Sequence, residues 1–172
     1  MAAKLLIDGY NLIGKLWGLD KASLELLREK IIKKAAEYKK IKKMSVVIVF
    51  DGENAGWMSE GRERIQGIDI YYSRDGEKAD DLIARMSKKG GERYILVSSD
   101  NELISRCERY GTINIKSEEF IGRMKEAEMY GDMTKDGEKD YGVDISSMTK
   151  KKGNPKRRSK KERQRRQKIS KV

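Results

Sequence analysis

Short apolar runs alternate with amphipathic stretches along the first 129 residues of the chain. Five runs predict β-strands, and three of them are apolar on both faces, as buried strands of a parallel sheet are. The predicted strands cover residues 4–7, 45–50, 68–72, 93–99 and 112–115. Apolar residues recur at helical spacing between and after the strands, which predicts helices over residues 21–38, with Asp20 as the N-cap, and over 78–90, 101–109 and 117–129.

The order of these elements predicts the fold class. Strands that alternate with helices are joined by right-handed crossovers, so we expect an α/β fold with a central, mostly parallel sheet and helices on both faces. Residues 12–19 are predicted as a loop or short turn, and residues 52–67, which show no clear period, as a flexible loop with room for a helical turn. Periodicity ends after residue 129, which predicts a domain over residues 1–129, a linker over 130–154 and a polybasic tail over 155–172 that is disordered or helical.

Positive charge is concentrated at the end of the chain. Residues 150–172 hold thirteen Lys or Arg and one acid, Glu162, whereas the whole 172-residue chain has a formal charge of +11. The first 149 residues therefore hold 26 basic and 27 acidic groups. A near-neutral body with a basic arm indicates a polyanionic partner. Since the sequence shows no long apolar run and no signal peptide, we expect a cytoplasmic protein that does not engage a membrane.

Two residue types are informative through their scarcity. The chain contains no histidine and a single cysteine, Cys107. This composition excludes Ser-His and Cys-His nucleophiles, histidine acid–base cleavage of RNA, histidine-ligated zinc and a disulfide framework within one chain. Hydrolytic chemistry would have to use carboxylates with a hard metal ion, or Lys and Tyr.

Three of the predicted strands lead directly into an aspartate, at Asp8, Asp51 and Asp100. Because ligands bind at the carboxyl ends of parallel strands, we expect these side chains to share one acidic pocket. Asp80 and Asp81 open a predicted helix, where either can contribute a further carboxylate. The competing interpretation is that each aspartate caps a turn or a helix.

Clustered carboxylates repel one another unless a cation is bound. Oxygen donors without His or Cys favour Mg²⁺ or Mn²⁺, ions that support phosphoryl chemistry. The sequence therefore predicts a metal site made of Asp8, Asp80 and Asp100, with Asp51 in or near it. Nearby polar residues could bind water or phosphate, and the candidates are Asn11 and Ser98.

Four segments resemble the motifs of NYN domains, a branch of the PIN-like nucleases. In chain order they are Leu6-Ile7-Asp8-Gly9-Tyr10-Asn11, Val49-Phe50-Asp51-Gly52, Ala79-Asp80-Asp81-Leu82-Ile83 and Val97-Ser98-Ser99-Asp100. The resemblance covers residues 3–128 and is strongest to the bacterial YacP-type NYN proteins.

This resemblance implies a PIN-like three-layer α/β/α sandwich with the strand order 3-2-1-4-5. It also implies a Mg²⁺- or Mn²⁺-dependent endoribonuclease, which in some YacP-type members acts on mRNA on the ribosome. The metal ligands implied by the motif match are Asp8, Asp80 and Asp100, and Asp51 is implied as a fourth catalytic acid. The supporting polar groups are Asn11, Ser98 and Asp81, since the motif fixes only the first acid after Ala79.

The expected reaction is attack of water in line with a scissile phosphate, with Asp51 as one candidate for accepting the proton. The basic tail would add affinity for RNA without sequence preference by neutralising phosphates; its alternative role is that of a solubilising segment. The candidate RNA-binding residues of the tail are Lys156, Arg157, Arg158, Lys160, Lys161, Arg163, Arg165 and Arg166.

Two other functions remain open at this point. A non-catalytic RNA- or ribosome-binding NYN module would keep the fold and bind without cleaving, although every acid that the motif requires is present. A different phosphoryl enzyme, such as a HAD-like phosphatase, needs a second Asp two residues after its nucleophile. This chain has Tyr10 in that position after Asp8.

Overall fold

The computed structural model describes residues 3–52, 60–135 and 160–172 of the chain. Its strands are β1 (Lys4–Asp8), β2 (Ser45–Phe50), β3 (Gly61–Ile65), β4 (Ile68–Tyr72), β5 (Tyr94–Val97) and β6 (Ile113–Ile115). Its helices are α1 (Gly9–Trp17), α2 (Leu24–Lys42), α3 (Ala79–Gly90), α4 (Asn101–Glu108), α5 (Ser117–Lys135) and α6 (Lys160–Ile169). No helix of this described part of the chain is long and apolar enough to cross a bilayer.

The strands form one sheet in the order β3-β4-β2-β1-β5-β6. β1 lies at the centre, paired in parallel with β2 on one side and with β5 on the other. The remaining pairs are also parallel except at the edge, where β3 runs antiparallel to β4. The predicted α/β class is confirmed, and so is the order 3-2-1-4-5, which corresponds to β4-β2-β1-β5-β6.

Alternating side chains of the central strand face two separate core layers. Leu5 and Ile7 join a cluster formed with α1, α2 and α5, whereas Leu6 joins a cluster formed with α3 and α4. Both layers are apolar, which explains why the central strands read as continuous apolar runs. The result is the expected three-layer arrangement, with helices covering both faces of the sheet.

The loop predicted over residues 12–19 is wrong for most of its length, because α1 begins at Gly9 and continues to Trp17. Leu12 and Ile13 are fully buried under this helix. Gly9 and Gly14 both lie within this helix, and because glycine is a poor helix former the sequence there favoured a loop.

Gly9 permits the abrupt change from β1 to α1. A Cβ atom at this position would lie 2.3 Å from Phe50 Cε1 and 2.9 Å from the carbonyl oxygen of Val49. Only a residue without a side chain lets α1 start so close to β2. This close approach fixes the position of Asp8, the residue immediately before it.

The prediction of one long loop over residues 52–67 is also wrong in part. Residues 61–65 form β3, which joins β4 through a two-residue turn at Gln66 and Gly67. Both turn residues have positive φ, 51° and 80°, as tight hairpins of this kind require. The sequence pattern hides β3 because it is a polar edge strand, and Trp57 of the same segment lies outside the described residues.

The end of the chain packs against the body. Val172 is fully buried in the core layer that contains α2 and α5. The Tyr38 hydroxyl donates a hydrogen bond to the Val172 carbonyl oxygen, and Arg123 Nη1 donates one to the Ile169 carbonyl oxygen at 3.1 Å. The helical alternative for the tail is found over Lys160–Ile169. The apolar residues that contact the body are Ile169, at the end of this polar helix, and Val172 beyond it, and they form no periodic pattern in the sequence.

The linker predicted from residue 130 begins as helix. α5 continues to Lys135, six residues beyond its predicted end at residue 129. Residues 136–154 of the predicted linker lie outside the described residues, as do residues 155–159 of the predicted tail.

Replacing Gly9 by alanine is expected to destabilise the protein. The new Cβ would overlap the Phe50 ring, and overpacking of this kind costs about 1–3 kcal/mol. Thermal unfolding followed by circular dichroism should show a lower Tm, by roughly 2–4 °C for each kcal/mol lost.

The matched control is Gly14→Ala on the same helix, where the nearest atom to a new Cβ, Leu19 Cγ, would be 3.5 Å away. Because alanine is the better helix former, the Tm of this variant should stay the same or rise. Equal losses in both variants would contradict the special role of Gly9.

Candidate active site

Four of the predicted carboxylates converge on one edge of the sheet. Asp8 is the last residue of β1, Asp51 follows β2, Asp100 precedes α4, and Asp80 lies in the first turn of α3. β1, β2 and β5 are parallel neighbours, so their carboxyl ends meet at this edge. The parallel pairing of these strands therefore brings together acids that lie far apart in the sequence.

Asp8 is the buried centre of this group, with only 6% of the residue exposed. Its Oδ1 accepts a hydrogen bond from the Asn11 backbone N–H at 3.3 Å, and its Oδ2 accepts one from Ser98 Oγ at 3.2 Å. Burial raises the pKa of Asp8 to about 7, with help from the negative charges of Asp80 and Asp100. The two hydrogen bonds oppose this shift without cancelling it.

Asp100 is connected to Asp8 through Ser98. The fully buried Ser98 hydroxyl donates to Asp8 and accepts a hydrogen bond from the Asp100 backbone N–H at 3.2 Å. Asp100 in turn caps α4, because its Oδ1 accepts from the backbone N–H groups of Glu102 and Leu103 at 2.8 and 3.1 Å. Ser98 thus links the two acids inside the protein, while both aspartates serve as helix caps.

The two aspartates at the start of α3 point to different partners. Asp81 Oδ1 accepts a hydrogen bond from Arg106 Nη2 at 2.7 Å, and half of its side chain is exposed. Asp80 instead faces the acidic group, since burial first and the charge of Asp100 second raise its pKa. Asp80 is therefore the carboxylate that α3 contributes to the site, whereas Asp81 forms a surface ion pair.

Asn11 braces the floor of the site. Its side-chain oxygen accepts hydrogen bonds from the Ser99 backbone N–H at 3.0 Å and from Ser117 Oγ at 2.8 Å. These bonds join α1 to the end of β5 and to the start of α5. Asn11 accordingly holds in place the backbone on which Asp8 and Asp100 are mounted.

A cavity of about 430 Å³ opens beside the carboxylates. Its lining residues include Asp8, Asp51 and Asp80, together with two lysines, Lys21 and Lys78. The volume lies within the range of small-ligand pockets. The sequence analysis missed both lysines, because nothing in a lysine-rich chain separates these two from the others.

The donor set suits a hard divalent cation, although it is not assembled around one. Within residues 3–52, 60–135 and 160–172, no three acidic side chains are gathered closely enough to hold a metal ion. Asp8, Asp80 and Asp100 nevertheless influence one another's charge and offer only oxygen atoms, the ligand chemistry of Mg²⁺ and Mn²⁺. Binding would require these side chains to draw together.

The predicted RNA-binding residues of the tail lie elsewhere. Those outside the described residues are Lys156, Arg157 and Arg158. Lys160, Lys161 and Arg163 belong to α6, on which Arg165 and Arg166 are exposed. The tail contacts the body at Glu92, just before β5, where Lys168 Nζ donates to the Glu92 carbonyl oxygen at 3.0 Å. The contact of Lys168 thus lies at the amino end of β5, away from the acids.

Comparison with known proteins gives consistent results. A family model described as the YacP-like NYN domain matches residues 5–171, which extends past the region of motif resemblance and through the tail. A curated protein of Bacillus subtilis (strain 168), "Uncharacterized protein YacP", is 31% identical over 87 residues, which are 49% of this chain and 51% of that protein. The chain therefore matches about half the length of that relative.

Two crystal structures of Rae1 (YacP) from Bacillus subtilis share the fold. A mutant form has a TM-score of 0.64 and 22% identity, over 78% of this chain and 85% of that chain. The other form has a TM-score of 0.64 and 23% identity, over 76% of this chain and 78% of that chain. At this level of identity the match concerns the fold.

The raised pKa of Asp8 predicts a pH-dependent stability. The carboxyl titrates at about 7 in the folded protein and near 3.9 in an unfolded chain. Between these values the folded state binds more protons than the unfolded state, so this group lowers the free energy of unfolding as the pH rises. The effect should be absent in Asp8→Asn, which retains the size of the side chain.

In EDTA, Asp8→Asn should therefore be stabilised relative to the wild type, and more strongly at pH 8 than at pH 5. At 1.36 kcal/mol per pKa unit, the change amounts to about 4 kcal/mol at most, measurable by scanning calorimetry. The control is Asp81→Asn, whose exposed side chain pairs with Arg106 and should leave the pH slope unchanged. A parallel pH dependence of Asp8→Asn and wild type would refute the assigned pKa.

Proposed function

Because the chain belongs to the family of YacP-like NYN domains, we propose that it is a metal-dependent endoribonuclease acting at the carboxyl edge of its sheet. NYN domains are PIN-like and RNA-related, and a nuclease role is consistent with that family. The observation that carries the proposal is the buried Asp8 carboxyl, whose pKa is raised in part by Asp80 and Asp100 from two other elements. Such mutual repulsion is relieved by a cation.

Asp8, Asp80 and Asp100 would hold a Mg²⁺ or Mn²⁺ ion. When bound, this ion supplies neutralisation of the scissile phosphate and activation of a water molecule. The carboxylates would have to move closer than they lie in the described residues. Asp8 and Asp100 cap helices, and Asp80 lies in the first turn of α3. Because the backbone is fixed at these positions, the movement is limited to rotation of the side chains.

The remaining lining residues have roles that follow from their charge. Asp51 borders the same cavity as Asp8, where its carboxylate can accept a proton from the attacking water. Lys21 and Lys78 also border the cavity and can bind non-bridging phosphate oxygens. Because the chain has no histidine to deprotonate a 2′-hydroxyl, attack by water is the proposed route, and it leaves 5′-phosphate and 3′-hydroxyl ends.

The substrate is proposed to be RNA, with mRNA on the ribosome as the form suggested by the resemblance to YacP-type proteins. The thirteen Lys and Arg between positions 150 and 172 favour a polyanionic partner. Arg165 and Arg166, exposed on α6, are proposed to contact phosphates.

A second candidate is an RNA- or ribosome-binding NYN module that does not cleave. One observation favours it: Asp8 and Asp100 are both engaged as helix caps, and the described carboxylates are not assembled for a metal. In that case the acids would stabilise the fold, and binding would not depend on Mg²⁺ or Mn²⁺.

The deciding experiment is cleavage of end-labelled RNA in Mn²⁺, in Mg²⁺ and in EDTA, with and without ribosomes. We expect metal-dependent products with 5′-phosphates, and a cleavage rate about 100-fold or more lower in Asp8→Asn. Loss of a group that only hydrogen-bonds to a metal ligand already lowers activity by roughly 10–100-fold. Asp81→Asn, the control acid paired with Arg106, should retain activity within a few fold.

Thermal shift provides a readout that does not depend on turnover. Mn²⁺ should raise the Tm of the wild type through binding to the folded state, and should do so much less for Asp8→Asn. Salt-sensitive RNA binding without cleavage under any condition, together with no metal-induced shift, would replace the nuclease by the binding module.

A further inference from the structure

A second groove lies at the edge of the sheet opposite to the carboxylates. It has a volume of about 840 Å³. Its lining residues precede β1, β2 and β5 or come from the end of the chain, and they are Ala3, Lys42, Lys43, Met44, Glu92, Arg93, Lys168 and Lys171. Since β1, β2 and β5 are parallel, this groove borders their amino ends, whereas Asp8 lies at the carboxyl end of β1.

The lining of this groove is strongly basic. Five of its eight residues are Lys or Arg and one is acidic. The acid, Glu92, is already engaged by Lys168, through its carbonyl oxygen at 3.0 Å and its carboxylate at 3.7 Å. Among the acids whose side chains the structure describes, none forms an ion pair with the other basic residues of the groove, which are Lys42, Lys43, Arg93 and Lys171.

This local charge is not a consequence of average composition. The first 149 residues have nearly equal numbers of basic and acidic groups, yet Lys42, Lys43 and Arg93 stand together in a groove whose one acid, Glu92, pairs with Lys168. The tail adds Lys168 and Lys171 to the same wall. The groove is therefore a site where body and tail combine their charges.

The tail is held in the position that forms the groove. Val172 is buried in the core and accepts a hydrogen bond from Tyr38 through its carbonyl oxygen. Arg123 binds the carbonyl oxygen of Ile169. Lys171 lies between these two anchors, so its backbone is fixed against the body.

We propose that this groove binds the phosphate backbone of a second RNA segment, remote from the bond that is cut. Grooves that bind single strands track the phosphate backbone with positive charge, and the five basic residues of this lining supply that charge. The inference depends on the proposed function only in taking RNA as the polyanion. It does not require that cleavage occur.

The geometry sets a minimum length for an RNA that uses both edges. The groove and Asp8 lie at opposite ends of β1, whose five residues span about 17 Å at roughly 3.3 Å per residue. A long RNA can reach both places, whereas a very short oligonucleotide bound beside Asp8 cannot. The groove should thus favour long substrates.

Lys43 offers a substitution that removes charge without harming the fold. It follows the end of α2 in the left-handed conformation, with φ of 53°, where glycine is preferred. Lys43→Gly should therefore maintain or raise the Tm while it weakens RNA binding. Weaker binding could not then be attributed to unfolding.

The test uses the full chain carrying Lys43→Gly and Lys171→Gln. Binding of a long labelled single-stranded RNA is measured by fluorescence anisotropy in EDTA over a series of salt concentrations. Because the variant neutralises two phosphates fewer, the negative slope of log K against log salt should become shallower by about 1.4, at roughly 0.7 per phosphate. Affinity at low salt should fall about tenfold, and the Tm should not fall.

The control pair is Lys30→Gln with Lys33→Gln, exposed positions on α2 that do not line the groove. It changes the net charge equally and should alter the salt slope by less than half as much. Equal effects of the two pairs, or no effect of the groove pair, would overturn the proposal and leave only unspecific attraction.

Cleavage assays separate this inference from the proposed function. If the protein cleaves RNA, the groove pair should reduce kcat/KM for long RNA about tenfold and leave cleavage of a short oligonucleotide unchanged. If neither the wild type nor the variant cleaves RNA, but the groove pair weakens RNA binding, the proposal for the groove is supported and the nuclease proposal is rejected. If the groove pair leaves cleavage of long RNA unchanged, only the proposal for the groove is rejected.

Discussion

A carboxylate at the end of a central strand of the sheet constrains everything around it. Asp8 is almost entirely removed from water, and its pKa rises to about 7 because burial and two neighbouring acids disfavour its charge. The fold keeps this residue in place by capping: one oxygen accepts from the first turn of α1 and the other from Ser98. A buried polar group satisfied in this way is tolerated, while its charge remains uncompensated by any described base in hydrogen-bond contact. That imbalance is what makes the strand end a place for a cation.

The rest of the carboxyl edge follows from this position. Gly9 permits a helix to start beside β2 without a clash, so that the cap of Asp8 can form. Ser98 connects Asp8 to Asp100, which links the central strand to its neighbour. Asn11 ties the same helix to the start of α5. The acids are thus mounted on rigid backbone, as precise sites require, and the freedom left to them is mainly rotation of the side chains.

The sequence predicted the strands and helices whose apolar residues follow a clear pattern. Fully apolar runs ending in aspartate predicted the parallel sheet and the shared edge, because burial on both faces and strand polarity follow directly from the pattern. α1 and β3 escaped prediction, because α1 contains two glycines and β3 is a polar edge strand. Residue spacing alone left Asp80 and Asp81 equivalent, and the motif match favoured Asp80. The ion pair of Asp81 with Arg106 is consistent with that choice. The catalytic and metal-binding roles of the acids stay predictions, because they concern a bound ion and a reacting phosphate.

The sheet separates charge along its strands. Acids gather at the carboxyl ends of β1, β2 and β5, whereas the lysines and the arginine of the groove gather at their amino ends. Under the proposed function, the carboxylates of the first edge would disfavour an RNA phosphate unless a cation is bound, although Lys21 and Lys78 border the same cavity. The second edge would attract RNA without a cation. The polyanion would therefore be held first by the basic edge and the tail, with the acidic edge admitting a phosphate only together with its metal. Because Val172 fixes the end of the tail within the core, the tail takes part in this separation as a structural wall of the groove and does more than add a mobile charge.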